Sequence, residues 1–128
     1  MDRKQLMPQE IEVWYIIPAI RRELAKEMAR LGLKQKETAS RLGVTESAVS
    51  QYVKQKRAKE VSFTDDTLAE IRESAKEIIK DPERLMCEIQ KILGHVKKSK
   101  TLCKVHYQHG RMPQKCEACL APITEKEG

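Results

Sequence analysis

The sequence is poor in aromatic side chains, in glycine and in long apolar runs. Of its 128 residues five are glycines, and the five aromatic side chains are Trp14, Tyr15, Tyr52, Phe63 and Tyr107. A core must therefore be built mainly from Leu, Ile, Val, Ala and Met, which favours helices. No apolar run approaches the roughly 20 residues that a membrane span needs. The one near the N-terminus is interrupted by Pro18 and lacks the pattern of a signal peptide. We expect an all-α, cytoplasmic protein without a membrane-spanning segment.

The net charge of +6 is unevenly distributed along the chain. Residues 1–60 carry 13 Lys/Arg against 8 Asp/Glu, residues 61–94 carry 5 against 8, and residues 95–128 carry 7 against 3. Basic ends around an acidic middle are typical of a polyanion-binding face attached to a separate body. A generally solvated Lys-rich surface would give the same totals, so charge alone does not decide between the two.

Apolar residues recur at helical spacing through most of the first 96 residues. Pro18 is a favourable first helical residue, while the stretch from Pro8 to Ile17 fits either a helix or a strand. Two later helices are predicted from apolar stripes, one at Leu68, Ile71, Ala75 and Ile78 and one at Leu85, Ile89, Leu93 and Val96. We therefore divide the chain into an N-terminal domain at 1–60, a helical linker or dimerisation region at 61–96, and an irregular tail at 97–128.

The stretch QKETASRLGVTESAVSQYVKQKR, residues 35–57, has the spacing of a helix-turn-helix. Ala39 is small where two helix backbones would approach closely, Gly43 tolerates the left-handed conformation of a turn, and Thr45 is a good N-cap for the next helix. The positions predicted to face inward are Val44, Val49 and either Tyr52 or Val53. Small polar side chains are left facing outward, and Ser and Gln there are suited to hydrogen bonds with base edges in the major groove.

With these residues the chain resembles the Cro/repressor-type (XRE) helix-turn-helix family of transcriptional regulators over about residues 18–60. It is also similar to small archaeal predicted regulators that carry a cysteine-bearing tail after this motif. The resemblance implies double-stranded DNA as the partner, with contacts from Gln35, Thr45, Glu46, Ser47, Ser50, Gln51, Lys54, Lys56 and Arg57.

Two positions depart from the family's pattern. Lys34 stands where the family usually has Ser or Thr as a cap, and Glu46 stands where many members carry Gln or Arg. A carboxylate at that position repels phosphate and could accept a hydrogen bond from a cytosine amino group. The base contacts of the family therefore do not transfer directly to this sequence.

The four cysteines predict a metal centre rather than disulfides, because disulfides are rare in cytosolic proteins. Cys116 and Cys119 form a C-x-x-C pair in which two thiolates can bind one ion. Cys103 and Cys87 would complete a set of four, with Cys87 on the helical face beside Leu85 and Ile89. The reserve ligand is His106.

Four thiolates fit either zinc or an iron–sulfur cluster, and the spacing matches neither ferredoxin pattern. Two other interpretations are a buried, inert Cys87 and a redox-active C-x-x-C. No catalytic base, nucleotide-binding loop or pair of carboxylates indicates an enzyme, and no small-molecule substrate is evident.

We therefore expect a sequence-specific DNA-binding transcriptional regulator with a metal site. That site either senses redox or metal state or has only a structural role. The alternatives are a bridging adaptor with a structural zinc site, similar to the multiprotein bridging factors, and an antitoxin-type autorepressor. The bridging factors carry their cysteines before the motif, whereas here all four follow it. A homodimer through residues 65–96 is expected, because the two later stripes offer more apolar surface than one small domain needs.

Overall fold

The computed structural model describes residues 7–54 and 61–99, and within these ranges the chain is helical and has no strand. The elements, in chain order, are α1 Pro8–Ile11, a π-helical turn Glu12–Ile16, α2 Ile17–Arg30, α3 Gln35–Leu42, α4 Glu46–Lys54, α5 Asp65–Lys80, a 3₁₀ turn Pro82–Arg84 and α6 Leu85–Lys98. The expectation of an all-α chain is confirmed for the described residues.

Helix α2 is the centre of the core. It packs against α3, α4, α5 and α6, and its side chains Ile20, Leu24, Ala25 and Met28 are fully buried. These positions lie at the spacing of three and four residues that places side chains on one face of a helix. Because α5 and α6 bury their own apolar side chains in the same cluster, the described helices share a single core.

The backbone is helical well before Pro18, which resolves the ambiguity over residues 8–17 in favour of a helix. Pro18 is the second residue of α2, but the helical backbone does not start there as expected from the sequence, since Ile16 and Ile17 are already in the helical region. The preceding turn is π-helical, and the N–H of Ile17 donates to the carbonyl of Glu12 five residues back. A wider turn is a known way to accommodate a proline, whose ring would clash with a carbonyl four residues earlier.

Helices α5 and α6 pack on each other as an antiparallel pair and bury both predicted stripes. Ile71, Ala75 and Ile78 of α5 are 1% exposed or less, as is Val96 of α6, and Ile89 and Leu93 are also buried. Leu68 and Leu85 are half-buried against the same cluster. These side chains are covered within one chain, so the surplus of apolar surface that motivated a dimer through residues 65–96 does not exist on these faces. The homodimer stays a prediction without that support.

A buried carboxylate joins the same two helices. Glu88 of α6 is 1% exposed, and its Oε1 accepts a hydrogen bond of 2.7 Å from the hydroxyl of buried Ser74 on α5. Its Oε2 accepts one of 2.8 Å from Arg84, and the Nζ of Lys91 lies 3.4 Å from Oε1. Burial alone would raise the pKa of Glu88, but the hydrogen bonds from Ser74 and Arg84 and the charge of Lys91 outweigh it, and the pKa is lowered. Glu88 is therefore ionised at neutral pH.

Candidate nucleic-acid interface

The turn between α3 and α4 is set by Gly43. This residue ends α3 with φ 68° and ψ 33°, in the left-handed region. The N–H of Val44 donates a hydrogen bond of 3.0 Å to the carbonyl of Ala39. This satisfies one of the carbonyls at the end of α3 that have no partner within the helix. A residue with a Cβ adopts this conformation only at an energetic cost, which explains the glycine.

The two helices meet through small or branched apolar side chains. Ala39 of α3 is 4% exposed and Val49 of α4 is 3% exposed. Val44 and Tyr52 are partly buried against the same core, whereas Val53 is 47% exposed. Of the two inward alternatives, Tyr52 is therefore the residue that packs. The pair α3–α4 is fixed to the core by one face of each helix.

The N-terminus of α4 is held by two side-chain hydrogen bonds. The hydroxyl oxygen of Thr45 accepts from the N–H of Ala48 at 3.0 Å, the pattern of an N-cap. The side-chain amide of Gln35, the first residue of α3, donates to the carbonyl oxygen of Glu46 at 3.0 Å. The first turns of the two helices therefore lie next to each other. Gln35 keeps a second amide hydrogen for a further acceptor, since a primary amide has two.

The outward face of α4 carries the side chains predicted from the sequence. Glu46, Ser47, Gln51 and Lys54 are exposed, and Ser50 is half-buried beside them. Thr45 is exposed at the start of the helix. Lys56 and Arg57 lie outside the described residues. The structure thus brings six of the nine predicted contact residues onto or next to one polar face of α4. A seventh, Gln35, is hydrogen-bonded to the first turn of that helix.

Three basic residues in α3 or at its N-cap are not among the predicted contacts. Lys34 and Lys36 are exposed at the start of α3, next to the first turn of α4. Lys34 is the N-cap residue, and its N–H donates to the carboxylate of Glu37 at 3.1 Å, which supplies the capping interaction. Arg41 has a different role, because its Nε donates to the carbonyl of Ile79 at 3.2 Å and so ties α3 to the end of α5.

A second buried carboxylate lies on α2, on the side that faces α5. Glu27 is 7% exposed and accepts hydrogen bonds from both Nε and Nη2 of Arg30. The hydrogen bond from Arg30 lowers the pKa of Glu27 against the opposing effect of burial, and Arg72 and Lys76 lower it further. The signal that could have identified this pair is the i,i+3 spacing of Glu and Arg on one helix.

Cys87 is exposed and forms no disulfide with any described residue, so the interpretation of a buried, inert cysteine is wrong. The expectation that it shares the face of Leu85 and Ile89 is also wrong. Successive residues of an α-helix are about 100° apart, so a residue two positions from both points to the opposite side. The other predicted ligands, Cys103, His106, Cys116 and Cys119, lie outside the described residues. Within residues 7–54 and 61–99 no group of three or more His, Cys, Asp or Glu is placed to hold a metal ion.

None of the helices in the described part of the chain is both long enough and apolar enough to cross a membrane. Comparison of the chain with protein-family models, with curated proteins and with solved structures finds no match in any of the three.

Proposed function

We propose that the chain is a sequence-specific DNA-binding transcriptional regulator that inserts α4 into the major groove of a duplex. The observation that carries this proposal is the exposed polar face of α4, held at its N-terminus by Thr45 and Gln35. An α-helix with its side chains is about 10–12 Å in diameter. The major groove of B-DNA is about 12 Å wide and admits one helix.

The side chains on that face have distinct roles in the proposed complex. Ser47 and Gln51 lie one turn apart on the exposed face and would read base edges as donors and acceptors. Lys54 at the end of α4, with Lys34 and Lys36 at the start of α3, would contact phosphates on either side of the groove. Lys56 and Arg57 follow in sequence and would extend the backbone contacts.

Glu46 gives the proposed site a specificity of its own. It is exposed in the first turn of α4, and its main-chain carbonyl is bound by Gln35, which holds this turn in place. A carboxylate cannot donate to guanine O6 or N7, but it can accept from the N4 amino group of cytosine. We therefore expect a cytosine to be preferred at the base pair facing Glu46.

A substitution in α4 tests the proposal. Gln51→Ala should lower the discrimination between the best duplex and a single-base variant by about 1–3 kcal/mol, because a bidentate base contact is lost. Gln90→Ala is the matched control, since Gln90 is exposed on α6, away from the proposed interface. Fluorescence anisotropy with a duplex selected from a random library measures both. Equal effects of the two substitutions would contradict the proposed role of α4.

We also propose that Cys87, Cys103, Cys116 and Cys119 bind one metal centre, either zinc or an iron–sulfur cluster. The exposure of Cys87 fits this role, because a thiolate at the surface can be reached by ligands from another segment. From Cys87 to the end of α6 at Lys98 the helix rises about 17 Å. The five residues from Lys98 to Cys103 span at most about 17 Å when fully extended. Cys103 therefore meets Cys87 only if the chain returns straight along α6. The chain from Lys98 to Cys116 and Cys119 is much longer, so it can reach Cys87 by other paths.

The bridging-adaptor hypothesis has one observation in its favour. Met7, Val13 and Trp14 are 52%, 59% and 54% exposed near the N-terminus, and large apolar side chains at a surface are typical of protein-binding sites. The duplex-binding assay separates the two functions, because an adaptor that docks only on proteins would show no sequence preference for DNA.

A further inference from the structure

An open groove of about 630 Å³ runs between the start of α5 and the end of α6. Its α5 side includes Asp66, Glu70 and Glu73, and its α6 side includes His95, Lys98 and Ser99. The α6 end of the groove is therefore the point at which the described chain stops and the remaining 29 residues, 100–128, begin.

The α5 side of the groove is acidic along its length. Asp66, Glu70 and Glu73 follow each other at intervals of four and three residues, which places them in one row on the helix. The negative charge of this acidic row is only partly neutralised within the described chain. The Nζ of Lys91 and the Nε2 of His95 each lie 3.6 Å from an oxygen of Glu70, and Glu73 pairs with exposed Lys76.

The segment that starts at the groove has the opposite charge. Residues 100–115 contain four Lys or Arg and no Asp or Glu, and they include the apolar side chains Leu102 and Val105. We propose that the start of this segment, residues 100–108, docks in the groove and runs back along α5, with Lys100 and Lys104 facing the acidic row. The occupant is thus the chain's own tail rather than a separate partner.

The lengths of the two partners agree. The row from Asp66 to Glu73 covers seven residues of helix, about 10–11 Å. Lys100 and Lys104 are four residues apart, about 13–14 Å in an extended chain. Because α5 and α6 are antiparallel, a segment that follows the row from Asp66 towards Glu73 also returns along α6.

This path leads towards the exposed thiol of Cys87. Cys87, Lys91 and His95 are spaced by four residues on α6, and the last two contact Glu70 beside the groove. Docking of residues 100–108 would therefore carry Cys103 along the α5–α6 pair in the direction of Cys87. The inference does not depend on DNA binding or on a bound metal, although it would assist formation of the four-cysteine site.

Amide hydrogen exchange of the full-length chain, followed by mass spectrometry, tests the docking. Residues 100–108 should exchange at least about tenfold more slowly than in a synthetic peptide of residues 96–115, because docked amides are shielded. Glu73→Lys should reduce this protection roughly threefold to tenfold, since the charge reversal turns an attractive surface ion pair into a repulsive one. Adding Lys104→Glu should restore it.

Glu83→Lys is the matched control, because Glu83 is exposed in the 3₁₀ turn at the far end of the α5–α6 pair, and it should leave the protection unchanged. Absence of protection in the wild-type chain would overturn the proposal. Protection of residues 100–108 that is the same in Glu73→Lys as in the wild type would also overturn it. Protection that grows with protein concentration would assign the groove to a second copy and refute docking within one chain. Protection that disappears with a chelator yet ignores Glu73→Lys would refute groove docking while supporting the metal centre.

Discussion

The buried carboxylate of Glu88 should be a major determinant of stability. Glu88→Ala removes the acceptor of the Ser74 hydroxyl, which is 0% exposed, and a buried hydroxyl without an acceptor costs about 1–3 kcal/mol. Arg84 and Lys91 are 46% and 53% exposed, so they remain hydrated and each lost ion pair adds at most about 1 kcal/mol. We expect a total loss of about 2–4 kcal/mol in the free energy of unfolding.

Glu88→Gln should cost less, about 1–2 kcal/mol, because the amide oxygen can still accept from Ser74 while the charge is lost. The control is Lys80→Ala, which removes a surface ion pair with Glu77 and should change the free energy of unfolding by less than about 0.5 kcal/mol. Urea denaturation followed by far-ultraviolet circular dichroism measures all three. Equal losses in Glu88→Ala and Lys80→Ala would refute the assigned role of the buried carboxylate.

The same carboxylate predicts a direction of pH dependence. The pKa of Glu88 is lower in the folded chain than its ordinary value of 4.5, so the folded state binds the proton less tightly than the unfolded state. The contribution of ionised Glu88 to the free energy of unfolding is therefore fully present above about pH 5, and it is lost as the pH falls towards the folded-state pKa. The stability difference between wild type and Glu88→Gln should shrink on acidification. A difference that grows as the pH falls would contradict the lowered pKa.

Three further predictions concern the turn, the tail and assembly. Gly43→Ala should lower the free energy of unfolding by about 1–2 kcal/mol through backbone strain alone, since a Cβ there would meet only Leu85 Cδ2 at an ordinary 3.9 Å; a neutral effect in urea denaturation would contradict this. The double substitution Cys116→Ser with Cys119→Ser should abolish metal binding in elemental analysis and leave the melting of the described helices unchanged. Unchanged metal content would refute these two ligands. Light scattering of the full chain with duplex DNA should give the mass of two protein copies plus one duplex, and a mass that contains one protein copy, with and without DNA, would refute the homodimer.

The features that sequence predicts well here are the ones that depend on neighbouring residues. Gly43, Thr45 and Ala39 follow local rules for a left-handed turn, an N-cap and a close helix contact, and each lies where those rules place it. The α5 stripe was likewise predicted from its spacing, since Ile71 and Ile78 are buried at the expected positions.

The features that the sequence does not predict depend on contacts between distant residues or on the position of a residue around its helix axis. The burial of Glu88 requires Ser74, which is 14 residues away, and a Glu in a charged helix otherwise predicts a solvated side chain. The sequence analysis expects Cys87 on the apolar face with Leu85 and Ile89. Two residues along an α-helix turn the side chain by about 200°, which puts Cys87 on the exposed side. The sequence likewise did not predict the exposure of Trp14, because an aromatic residue in an apolar run normally predicts burial.

The central claim is that α4 enters the major groove of DNA, and photocrosslinking tests it most directly. A photoreactive side chain replaces Ser47 on the exposed face of α4, or Gln90 on α6 as the matched position, in the full-length chain bound to its selected duplex. The account predicts crosslinks from position 47 to bases, mapped to atoms of the major groove, and few or none from position 90. Crosslinks that favour position 90, or none to the duplex from position 47, would contradict it.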